Sequence, residues 1–189
     1  MRFVQVFFYK LLAISASLFN DRELAISYWQ KIALLLPRDA RAPAVMAHLR
    51  AELGQNNEAL VLIKSSLELD STKALTWYNL GFLNNEMLVH ADALNAFDRA
   101  IEIAPNMDLA YYGKSLALIK LGRVEEAIAP LKRNTELQPL SPYGWYQLAH
   151  AYNRLGHADK AEKTIAWLSH FEPSVATQLR REMGLNATR

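Results

Sequence analysis

The 189-residue chain contains no cysteine, which excludes a disulfide framework, a thiolate nucleophile and a structural zinc–thiolate centre. It has almost no surplus charge: 21 basic residues against 19 acidic, interspersed, with no basic run longer than a pair. The electrostatic footprint of a nucleic-acid binder is therefore missing, and no nucleic-acid partner is expected. There are only seven glycines and none forms a phosphate-binding loop. The five histidines, His48, His90, His150, His157 and His170, stand far apart, and none belongs to an H-E-x-x-H pattern. No catalytic residue, metal site or cofactor is expected. A long apolar run is also absent. The stretch to Phe19 comes nearest, but Lys10 divides it, and neither arm approaches the roughly 20 residues of a membrane span.

What the chain does have is a period. Pro37, Pro105, Pro139 and Pro173 fall on a 34-residue repeat, with Ser71 where one more would stand. The block Ala74 to Met107 is the clearest copy, with Trp77, Leu80, Gly81, Ala93, Phe97, Ala100 and Pro105 at positions 4, 7, 8, 20, 24, 27 and 32. Two later blocks repeat the columns, through Tyr111, Ser115 and Ala127, and through Trp145, Ala149 and Ala161. Two earlier blocks are weaker. Small residues at positions 8 and 20 let two helices cross closely. Gly54, Gly122 and Gly156 suit the left-handed residue that ends a helix, and Asn20 tolerates the same region. Leu88 takes that place in the third block and predicts a less regular turn there. Two prolines predict further irregularity: Pro43, with an opening helix that starts late, and Pro130, with a bend inside a second helix.

Together these columns resemble the tetratricopeptide repeat over roughly residues 6 to 175. The resemblance implies an all-α fold, a right-handed α-solenoid of antiparallel helix hairpins, as one domain over 1–189. Repeats are expected at about 6–39, 40–73, 74–107, 108–141 and 142–175. First helices are predicted near 6–18, 40–53, 74–87, 108–121 and 142–155, and second helices near 22–36, 56–70, 90–103, 124–137 and 158–171. A capping helix over about 174–184 opens at Ser174, with Gln178, Arg180, Arg181 and Glu182 as its polar outer face.

In this family the first helices line a concave groove through positions 2, 5, 6, 9, 12 and 13, and the resemblance implies a non-catalytic interaction adaptor. The groove positions hold Arg41, His48 and Glu52, then Leu75, Tyr78, Asn79, Phe82, Asn85 and Glu86. They continue with Leu109, Tyr112, Leu116, Ile119 and Lys120, then Tyr143, Tyr146, Gln147, His150, Asn153 and Arg154. Aromatics offer contact area at low entropy cost, and Asn or Gln can pair with a peptide backbone, so a partner peptide or helix is expected there. Packing within the repeat is the alternative role for the tyrosines at position 5. The Lys–Asn–Arg clamp by which one subclass grips chaperone tails is not present, since Asn79 stands alone in it.

Phe3, Phe7 and Phe8 belong to a first helix with no repeat before it. An apolar patch is expected at this edge, covered by a second copy, a partner or a membrane surface. A homodimer is the leading version and membrane contact is not expected. A structural, self-associating module is thus the alternative to the adaptor. A cytoplasmic location is the default expectation, with export or membrane association left open by the apolar helix. Asn186-Ala187-Thr188 matches a glycosylation acceptor, a triplet common by chance.

Overall fold

The computed structural model describes residues 2–185, and the Asn186-Ala187-Thr188 triplet lies outside them. Regular structure among the described residues is entirely α-helical. The chain divides into two compact units, one ending at Val89 and one beginning at His90. The first holds α1 (Arg2–Leu18), α2 (Arg22–Leu35), α3 (Arg41–Glu52), α4 (Asn56–Leu69) and α5 (Ala74–Glu86). The second holds α6 (His90–Ile103), α7 (Asp108–Lys120), α8 (Val124–Leu137), α9 (Pro142–Arg154), α10 (Ala158–Leu168) and α11 (Pro173–Glu182).

Within each unit every helix packs on the next in the chain. The small-residue columns sit at the hairpin crossings: Ala13, Ala25, Ala59, Ser115, Ala127, Ala149 and Ala161 are all fully buried. Ile32, Leu131 and Leu168 close the space around them with no exposed surface, each worth about 1.5–3 kcal/mol of burial. Gly113 serves the same end. A Cβ there would stand 2.5 Å from the Phe97 ring, so the ring lies directly against the α7 backbone.

Two further columns explain themselves as hydrogen bonds. The position-4 aromatic reaches back six residues: Trp77 Nε1 donates to the Ser71 carbonyl at 2.8 Å, Tyr111 Oη to Pro105 at 3.1 Å, and Trp145 Nε1 to Pro139 at 2.9 Å. At position 27, Ser66 Oγ donates to the Ala40 carbonyl and Asn134 Nδ2 to that of Asp108, which satisfies two buried polar groups and ties each second helix to the start of the first helix of its hairpin.

The hairpin turns are more uniform than the sequence suggests. Leu88 takes φ 63° and Asn20 φ 62°, close to the 74–76° of Gly54, Gly122 and Gly156. The bond that closes the turn is the same in each, including Val89 N to Asn84 O at 2.8 Å and Arg123 N to Leu118 O at 2.9 Å. The expected irregularity at Leu88 is corrected: the turn keeps its geometry, and Leu88 itself adopts the left-handed backbone that glycine takes in the other turns.

Pro43 also departs from expectation. α3 begins at Arg41, with the Asp39 carboxylate accepting from the Arg41 N–H, and Pro43 occupies the first turn. The amides there have no intrahelical acceptor, so a residue without a donor costs nothing. α8 continues as a helix on both sides of Pro130. α1 starts earlier than predicted, and α10 ends at Leu168, before its predicted limit. Pro173 therefore opens α11 as its first residue rather than closing α10, and Glu172, not Ser174, precedes the helix.

Candidate functional site

In the first unit, α3 and α5 enclose a cleft of about 490 Å³. Its floor is apolar, from Ala47, Ala51, Ile63 and Leu83, and its rim carries His48, Glu52, Asn79, Phe82 and Glu86. These rim residues recur every three or four positions along each helix, so one face of each presents them. Phe82 stands half exposed at the mouth with 50% of its surface free. The rim is tilted toward negative charge. His48 Nε2 lies 3.4 Å from Glu52, which also accepts from the Arg22 guanidinium.

Arg41 is not part of this cleft. Its guanidinium forks onto Asp39, Nε to Oδ1 at 2.8 Å and Nη2 to Oδ2 at 2.6 Å, and that pairing holds the Asp39 carboxyl below its usual range. It lines a separate, charged depression with Arg38, Asp70 and Lys73. Tyr78 and Asn85, also on α5, are half-buried.

In the second unit the candidate residues come from α7 and α9. Tyr112 is half-buried, which pushes its phenol up, while a hydrogen bond with Gln147 works the other way. Tyr143 is largely exposed, and Leu116 and Asn153 are half-buried. Arg154 lies apart, beside Arg123 and Glu125 in a small polar depression.

Tyr146 and His150 are engaged within the chain. Their rings lie 4.6 Å apart, and both meet one carboxylate: Tyr146 Oη donates to Glu182 at 2.8 Å, and His150 Nε2 is 2.9 Å from the same oxygen. Gln178 Nε2 donates to the other oxygen at 2.7 Å. Gln178 foremost, then Tyr146, holds the Glu182 carboxyl below its usual range, and burial foremost, then Glu182, raises the Tyr146 phenol. On the polar face of the tail, Gln178, Arg181 and Glu182 are exposed, and two of its side chains also reach neighbouring helices: Glu182 meets α9, and Arg180 pairs with Glu162 at 2.7 Å. The spacing of Gln178 and Glu182 by one helical turn was the available signal, but it could not say which neighbour that face would meet.

On α1, Phe3, Phe7 and Phe8 are 87%, 64% and 56% exposed. Among the described residues no helix is long and apolar enough to cross a membrane, and no group of three metal-ligating side chains converges.

A tetratricopeptide-repeat family profile matches residues 109–139 and 142–166. Protein FlbA of Caulobacter vibrioides is 27% identical over 159 residues, which cover 83% of this chain and 26% of that protein. The chain spans about a quarter or less of the length of the curated relatives it matches. Among solved structures, MamA protein superposes with a TM-score of 0.78 at 20% identity, over 98% of this chain and 97% of MamA. YrrB, described as a TPR protein with an unusual peptide-binding site, gives 0.77 at 20% identity over 92% of this chain and 90% of its own. Likeness at that identity establishes the fold class, an all-α solenoid of helix hairpins.

Proposed function

Because this chain is a member of the tetratricopeptide-repeat family, we propose that it is a non-catalytic adaptor that holds a segment of a partner protein in the α3–α5 cleft, in the assembly or export of a complex. The cleft carries this reading. It joins an apolar floor to a polar rim, with the half-exposed Phe82 as an anchor and Asn79 able to pair with a backbone. Glu86, on the same rim as the Arg22-paired Glu52, favours a segment with a basic residue beside its apolar anchor. The peptide-binding site named for YrrB supports the same class of activity. In the second unit, Tyr112, Tyr143, Gln147 and Asn153 offer a further contact surface.

The test is affinity capture from the source cell with the wild-type chain and with Asn79→Ala combined with Phe82→Ala. A partner that falls at least about tenfold with the double variant, while the helical circular-dichroism signal holds, is the expected result. Capture that is indifferent to both residues removes the cleft from the function.

A further inference from the structure

The exposed side of α1 is built as a seam for another helix. Val4, Phe7, Leu11, Ile14 and Leu18 alternate by three and four residues, all between 49% and 81% exposed, with Phe3 and Phe8 beside them. The opposite side is already used, since Val6, Ala13 and Ala16 are buried. The helix carries only two charges, Arg2 and Lys10, and neither belongs to the seam.

We propose that α1 pairs with α1 of a second copy of this chain, in a symmetric antiparallel contact centred on Leu11. This goes beyond the adaptor reading and uses none of its residues. Two observations select this occupant. The alternating spacing is that of knobs entering the holes of a facing helix, whereas a lipid surface imposes no register. The exposed apolar surface of these side chains is also on the order of 1,000 Å², judged from what buried aromatics and aliphatics contribute. A stable interface takes about 800 Å² from each partner. The absence of charge along the seam lets identical faces meet without repulsion, and the antiparallel sense sets the helix dipoles in favourable opposition. In that geometry Leu11 faces its own copy, Val4 meets Leu18, and Phe7 meets Ile14.

Because the chain has no cysteine, a single introduced thiol reports the geometry. Under mild oxidation, Leu11→Cys should cross-link into a dimer, Val4→Cys alone should not, and a mixture of Val4→Cys with Leu18→Cys should. Sedimentation equilibrium should find the wild-type chain dimeric at tens of micromolar. Phe7→Lys with Leu11→Lys should weaken the dimer by about a hundredfold or more, with unchanged far-ultraviolet circular dichroism because both side chains are exposed. Three outcomes overturn the proposal: a wild-type chain that stays monomeric, Val4→Cys cross-linking as readily as Leu11→Cys, or a monomer that co-sediments with phosphatidylcholine–phosphatidylserine vesicles.

Discussion

The two terminal helices are opposites. α11 is short, ten residues, and it is spent on the chain itself: Ala176 and Leu179 are fully buried with Ala149, Ile165 and Leu168, while Glu182 ties its end to α9. α1 is longer, seventeen residues, and its larger apolar side faces outward. A repeat array needs its end repeats covered because each hairpin buries only one of its faces against its neighbour. The apolar side of α11 is buried against α9 and α10, whereas the larger apolar side of α1 is exposed.

The sharpest break in this contrast is Leu179→Ala. Truncating a fully buried leucine should cost about 2–5 kcal/mol in thermal or denaturant unfolding, because the cavity opens onto Ile165 and Leu168. Phe7→Ala on α1 should cost a monomeric chain less than about 0.5 kcal/mol. A large, concentration-dependent loss from Phe7→Ala would instead report the paired α1 helices.

The binding surfaces divide along the same line. Phe82→Ala removes an aromatic from an open cleft and should weaken partner binding by about tenfold with no change in stability. Tyr112→Ala with Tyr146→Ala should weaken binding comparably where the second unit contributes, but Tyr146→Ala also deletes a donor to Glu182. Faster amide exchange in α11 is therefore expected from the second pair and not from Phe82→Ala. Equal protection of α11 in both would detach Tyr146 from the cap.

The fold was legible because it repeats. One 34-residue column set places every hairpin, and the second-helix boundaries at Ile103 and Leu137 fall as predicted. The misses have local causes. Pro43 lacks a donor, but it stands in the first turn of α3, where the helix needs none. Pro173 keeps the proline column but opens α11, because the three residues after Leu168 form a turn that ends α10 early. The candidate site was legible only as a set of positions. The periodicity marks His48, Asn79 and Phe82 as sharing a side, but it does not reveal that Arg41 is held by Asp39. It also hides that Glu182, some thirty residues downstream, occupies Tyr146 and His150. Long-range pairing of this kind leaves no periodic trace.

The hairpin turns give a smaller comparison. Leu88 and Gly122 adopt the same left-handed backbone, yet only Leu88 carries a Cβ there. The left-handed region costs an ordinary residue about 1–2 kcal/mol, and glycine returns part of that through its freer unfolded chain. Leu88→Gly should thus stabilise by up to about 1 kcal/mol, since the Leu88 side chain is mostly exposed and little packing is lost. Gly122→Leu should destabilise by a similar amount. A Leu88→Gly variant that melts lower would mean that the side chain has a role in packing.

The smallest expected effect separates the termini by pH. In the folded chain the Glu182 carboxyl sits below its usual range, through Gln178 and Tyr146 first and His150 after them. A carboxyl lowered by folding binds fewer protons in the native state, so its stabilisation is full above the unfolded value and is lost as pH falls through the folded one. α11 should therefore loosen on acidification through and below about pH 4, the ordinary carboxylate range. With Glu182 still 33% exposed, the loss should stay below about 1 kcal/mol. Hydrogen exchange of α11 amides is the measurement, and Glu182→Gln should flatten its acid limb. α1 has no carboxylate of its own, so its exchange should lack that step. If α1 and α11 loosen together and Glu182→Gln changes neither, acid acts on the chain as a whole, and the Glu182 contact does not fasten the C-terminal end.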